Sequence, residues 1–106
     1  MAYRSFLDLP GGDYEAVFRI KALGNVSAPL CRLDISASGF EYIAVKTVGP
    51  NDIKPGQWVE ITLPFAIDPK GATGVGPRVY YMGQTGVAVD WISVRMGDTA
   101  WLSLLQ

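Results

Sequence analysis

Between Tyr14 and Met96 apolar and polar side chains alternate in short segments separated by glycine and proline. Val59-Glu60-Ile61-Thr62-Leu63 and Cys31-Arg32-Leu33-Asp34-Ile35 set every second side chain on one face. A period of two belongs to a strand half buried in a sheet, because successive Cβ atoms point to opposite sides. The pattern predicts strands at 3–7, 14–22, 30–37, 40–48, 58–66, 78–82 and 87–96, with turns at Pro10-Gly11-Gly12-Asp13, at Ser38-Gly39 and at 83–86. Ala16, Phe18 and Ile20 share one inward face, Cys31, Leu33, Ile35 and Ala37 a second, and Val59, Ile61, Leu63 and Phe65 a third. Arg32, Asp34 and Ser36 face out, as do Trp58, Glu60 and Thr62. Pro64 cannot donate to a ladder, so its strand ends there or lies on an edge.

Other segments read less cleanly. In 40–48, Ile43 and Val45 go together, opposite Tyr42, Ala44 and Lys46, and the pattern does not say which set is core. In 87–96, Asp90, Ile92 and Val94 share one face, and Val89, Trp91 and Ser93 the other. Large apolar residues on both sides suggest a central strand. Residues 68–77 are glycine-rich and read as a long loop. The apolar tail Ala100-Trp101-Leu102-Ser103-Leu104-Leu105 reads as a last strand, a packing flap or a linker.

The 106 residues suit one domain, 1–106, and a two-layer sheet sandwich is the natural way for so short a chain to bury a core. Turn signals recurring about every ten residues point to an antiparallel sandwich. Nine basic and ten acidic residues give a net charge of -1 with no basic run, which argues against nucleic acid as a partner. No apolar stretch is long enough to span a bilayer, so no membrane insertion is expected. No leader-like segment opens the chain, and the expectation is a module excised from a larger secreted or cell-surface protein, with covalent neighbour domains.

Candidate chemistry is sparse. The one cysteine, Cys31, rules out an internal disulfide, and its alternation with Leu33 and Ile35 makes it a small core hydrophobe. Asn25-Val26-Ser27 fits the glycosylation acceptor pattern. With no histidine, the usual general base and metal ligand are missing. The carboxylates are scattered and no pair is forced together by spacing, so the chain is read as non-catalytic. The run Gly-Ala-Thr-Gly-Val-Gly at 71–76 superficially fits a phosphate loop but lacks the lysine and the following helix.

The aromatic set carries more. Trp58, Tyr80 and Trp91 lie in strands, and Tyr14 and Tyr42 near strand starts. Such rings either pack in the sandwich or stack on sugar rings while neighbouring polar groups bond the hydroxyls. Of Tyr80 and Tyr81, one must face away from the core. Arg78 is either a ligand-binding fork or a clamp on loop carbonyls. Asp90, placed beside Ile92 and Val94, needs an arginine, backbone amides or a metal ion, and a structural Ca2+ is one reading.

The order of these pieces resembles carbohydrate-binding modules of the galactose-binding-like jelly-roll type. The matching residues begin with Leu9-Pro10-Gly11-Gly12-Asp13-Tyr14-Glu15-Ala16-Val17-Phe18-Arg19-Ile20-Lys21 and Leu33-Asp34-Ile35. They continue through Trp58-Val59-Glu60-Ile61-Thr62-Leu63-Pro64-Phe65 and Arg78-Val79-Tyr80-Tyr81-Met82-Gly83 to Val89-Asp90-Trp91-Ile92-Ser93-Val94. The resemblance implies an all-β, two-sheet antiparallel β-sandwich that binds a polysaccharide or oligosaccharide on the concave face of one sheet or at the loop end. Strands 30–37, 40–48 and 78–82 would share that sheet, with Arg32, Asp34, Tyr42, Arg78 and Tyr80 outward. The chain is shorter at the front than such modules, where part of a calcium site commonly lies, and it lacks a paired-tryptophan platform. The alternative reading is a structural or protein-interaction sandwich, an accessory domain of a surface or secreted protein.

Overall fold

The computed structural model describes residues 7–38 and 42–96. Seven strands run in chain order: β1 (Leu7–Leu9), β2 (Gly12–Ala22), β3 (Cys31–Ser36), β4 (Tyr42–Val48), β5 (Trp58–Ile67), β6 (Ala72–Tyr81) and β7 (Val87–Met96). They form a four-stranded sheet in the order β1-β6-β3-β4 and a three-stranded sheet in the order β5-β2-β7. All pairings within the sheets are antiparallel. Every chain step except β3 to β4 crosses from one sheet to the other. The fold is the expected all-β sandwich.

The alternation selects the core. Ala16, Phe18 and Ile20 from β2, Cys31, Leu33 and Ile35 from β3, and Ile61, Leu63 and Phe65 from β5 are buried together between the sheets. Ile92 and Val94 of β7 are only partly buried against this cluster. Tyr14, a candidate ring in the sequence, belongs to the core: it stacks on Phe65 with ring centroids 5.5 Å apart, and its hydroxyl donates to the Pro10 carbonyl at 2.7 Å. Cys31 is fully buried as expected, and burial pushes its thiol from an ordinary 9.0 up to about 11. Pro64 lies inside β5 opposite Glu15, and among the described residues β5 is an edge strand, where the missing N–H leaves no neighbour wanting.

Four expectations are corrected. Residues 72–77, read as loop, form the first half of β6, paired with β1 on one side and β3 on the other. The irregular register against β1 is absorbed where Gly74 adopts a φ of 62°, a conformation open to glycine. β7, read as central, is an edge strand among the described residues, and its outward Trp91 is half exposed rather than covered by a neighbour. A bulge opposite Arg19 and Ile20 reverses the alternation in β7: Val89 pairs with Ile20, Trp91 with Arg19, and Asp90 leaves the face of Ile92 to become exposed. A second bulge, opposite Ile35 and Ser36, splits β4, so Tyr42 and Val45 both point outward while Ile43 packs against the core. The expected strand at 3–7 lies within the described residues only at Leu7, which belongs to β1; Phe40 and the apolar tail at 100–105 lie outside them.

Candidate functional site

The register of β3 with its two neighbours builds one cluster on the outer face of the four-stranded sheet. Arg32 pairs with Tyr80 of β6, and Asp34 with Arg78 of β6 and Val45 of β4. The β4 bulge brings Tyr42 opposite Ser36, on the same face. Arg32, Asp34, Tyr42, Arg78 and Tyr80, the five residues singled out in the sequence, thus stand side by side.

Their bonding differs from a row of independent outward groups. Asp34 has no exposed surface although it lies on an outer face. Its Oδ1 accepts from Arg78 Nε at 2.8 Å, and its Oδ2 from Arg32 Nε at 3.2 Å. Both arginines cover the carboxylate and remain about one-third exposed, at 30% and 35%. The bond to Asp34 holds the Arg78 guanidinium above its usual pKa, against an opposing effect of burial. Asp34, expected among the outward residues of the site, is thus on that face but covered: each oxygen is engaged by an arginine, and it fixes two cations in place. Arg78 likewise bonds no loop carbonyl among the described residues. That role falls to Gln84, whose amide oxygen accepts from the Ser27 and Ala28 N–H groups and whose nitrogen donates to the Ala28 and Pro29 carbonyls. A lone glutamine in a turn carried no sequence signal of this.

The rings complete the cluster. The Arg32 guanidinium lies over Tyr80 at 4.7 Å and over Tyr42 at 5.1 Å, and that of Arg78 over Tyr42 at 5.1 Å. Arg32 Nη2 donates weakly to the Tyr42 hydroxyl at 3.4 Å. Tyr42 and Tyr80 are still 55% and 56% exposed. Cation–π contact at such sites contributes about 0.5–1 kcal/mol, enough to bias side-chain orientation. The result is a pre-arranged, aromatic, donor-rich patch on a rigid sheet.

Two other regions compete for attention. The opposite outer face carries Trp58 and Trp91, with Lys21 at 4.7 Å over Trp58 and Arg19 bridging Glu60 and Asp90, each at 3.1 Å. At one end of the sandwich a cleft of about 790 Å³ is lined by Asp8, Ser38, Ile43, Asp68, Lys70 and Thr73, among others. Its two carboxylates are engaged by backbone: Asp8 accepts from Gly74 N–H and Asp68 from Lys70 N–H.

The fit of Asp90 to calcium is poor. Its Oδ2 takes the Arg19 Nε–H, so the partner it needs is a neighbouring cation. Among the described residues no group of three or more histidine, cysteine, aspartate or glutamate side chains could hold a metal ion. Among the described residues no helix is long and apolar enough to cross a membrane. No family model, no curated protein and no solved structure matches this chain.

Proposed function

We propose that the chain is a non-catalytic carbohydrate-binding module, one domain of a larger secreted or cell-surface protein. The observation that carries this reading is the pairing of half-exposed Tyr42 and Tyr80 with two guanidinium groups fixed by Asp34 on an open sheet face. Flat rings stack on the apolar faces of sugars, and fixed N–H donors bond ring oxygens and hydroxyls without losing side-chain freedom on binding. A guanidinium has N–H donors on every nitrogen, and Asp34 engages only the Nε of each arginine. Beyond their contacts with the Tyr42 hydroxyl, the Nη groups have no hydrogen-bond partner among the described residues, and their remaining N–H donors can serve a ligand. Such a shallow, wet surface supports affinities in the micromolar to millimolar range, about 4–8 kcal/mol.

Affinity electrophoresis against a polysaccharide panel tests the reading, with Tyr80→Ala beside the unsubstituted chain and a melting curve for each. Retardation by a polysaccharide, lost in Tyr80→Ala at unchanged melting temperature, supports it. A second reading, a structural or protein-interaction sandwich, is favoured by a different feature. Val79, Tyr81, Gly86, Val87 and Val89 line a mostly apolar groove beside edge strand β7. If no polysaccharide retards the protein, that reading replaces the first.

A further inference from the structure

We infer that the Arg32–Asp34–Arg78 face selects acidic glycans, with a uronate carboxylate received by the outward guanidinium edges while a sugar ring stacks on Tyr80. The inference rests on the carbohydrate-binding reading and narrows its ligand. It follows from which charges are compensated and which groups can still bond.

Among β3, β4 and β6, Asp34 is the one carboxylate. It faces two arginines, so among the described residues the cluster keeps one uncompensated positive charge. It is also wholly shielded from solvent, with each oxygen committed to one Nε. A hydroxyl of a neutral sugar is both donor and acceptor, and its site must offer acceptors as well as donors. Among the described residues this patch offers charged donors in plenty and, as open side-chain acceptors, only hydroxyls such as those of Tyr42, Tyr80 and Thr47. A ligand that supplies its own acceptor and its own negative charge satisfies the patch better. A carboxylate does so, since its two oxygens match the spacing of parallel N–H donors on a guanidinium edge.

Shape adds the sugar ring to the carboxylate. Tyr80 stands directly across the ladder from Arg32, so ring and guanidinium are adjacent on the face. A pyranose stacked on Tyr80 places a ring substituent within reach of that guanidinium. Asp34 acts here as a positioning residue, holding both cations in register with the rings and leaving their Nη donors to the ligand. Simple anion attraction would not need the rings, and simple stacking would not need the uncompensated cation.

The experiment is affinity electrophoresis, with titration calorimetry on any ligand found, at low and high salt. The probes are polygalacturonate, polymannuronate and hyaluronan, each beside its carboxyl-methylated neutral form, with neutral glucan, xylan and galactan, and polyglutamate as a polyanion without rings. The expected result is retardation by an acidic polysaccharide, at least tenfold weaker binding of its methylated form, and weakening by salt. Tyr80→Ala and Arg32→Gln each lower the affinity, and the ring substitution leaves the salt dependence in place. Equal binding of an acidic polymer and its methylated form, or binding of a neutral polysaccharide alone, overturns the inference while the carbohydrate reading stands. Equal binding of polyglutamate overturns both, because the rings then have no role, and so does the absence of binding by every probe.

Discussion

The two outer faces of the sandwich use the same residue types to opposite ends. On the three-stranded sheet each arginine meets carboxylate: Arg19 bridges Glu60 and Asp90, and Arg95 Nε lies 2.7 Å from Glu15. On the four-stranded sheet two arginines share one buried aspartate. The tryptophans of the first face are 38% and 39% exposed, and the tyrosines of the second 55% and 56%. On the first face every described arginine meets a carboxylate of its own sheet and only Lys21, lying over Trp58, is left without one; on the second, two guanidinium groups share a single carboxylate and more ring surface is exposed. The count of exposed aromatic rings on strands, Trp58 and Trp91 on one face and Tyr42 and Tyr80 on the other, does not identify a site. What distinguishes the faces is whether the charges between the rings are already matched.

The largest expected effect lies in the buried carboxylate. Arg32→Met with Arg78→Met keeps an apolar roof over Asp34 and removes both cations. The unpaired buried charge should lower stability by about 3–5 kcal/mol in urea unfolding. Arg19→Met, the matching change on the other face, leaves two carboxylates that are already half exposed, and should cost no more than about 1 kcal/mol. The Arg32→Ala, Arg78→Ala protein should fall between, because water then reaches Asp34. Equal losses for the two methionine variants would erase the contrast between the faces.

A smaller effect probes the two sides of β3, where the inward thiol of Cys31 sits three residues from the outward carboxylate of Asp34. Burial raises the folded-state pKa of Cys31 to about 11, so between pH 9 and 11 the folded chain keeps a proton that the unfolded chain has lost. Stability should therefore fall as pH rises through that window, by on the order of 2 kcal/mol, and level off above it. Cys31→Ala should remove this part of the decline, which denaturant titrations at pH 8, 9.5 and 11 would show. An identical decline in Cys31→Ala would mean that the thiol is not held in an apolar setting.

Much of this was legible in the chain because β2, β3 and β5 alternate without interruption, and their neighbours follow the same register. The five site residues came out together for that reason: the outward positions of β3 and the last residues of β6 lie opposite each other. The two bulges were not legible. An extra residue at Ile43 or Asp90 leaves no mark in composition, yet it turns Tyr42 outward and moves Asp90 from a supposed half-buried site to the surface beside Arg19. The first half of β6 was missed because its glycines and Pro77 have low strand propensity; pairing on both sides makes it a strand. The burial of Asp34 was invisible because it comes from two side chains folding over a third, which alternation does not describe.

The most direct measurement of the central claim is a calorimetric titration of three single variants with the polysaccharide that retards the parent chain, each accompanied by a melting curve. Tyr80→Ala should lose at least tenfold in affinity, about 1.4 kcal/mol, with its melting temperature unchanged, since the side chain stands on the exposed face. Trp58→Ala and Trp91→Ala should bind within twofold of the parent. Full binding by Tyr80→Ala together with loss in either tryptophan variant would place the ligand on the opposite sheet and contradict the account.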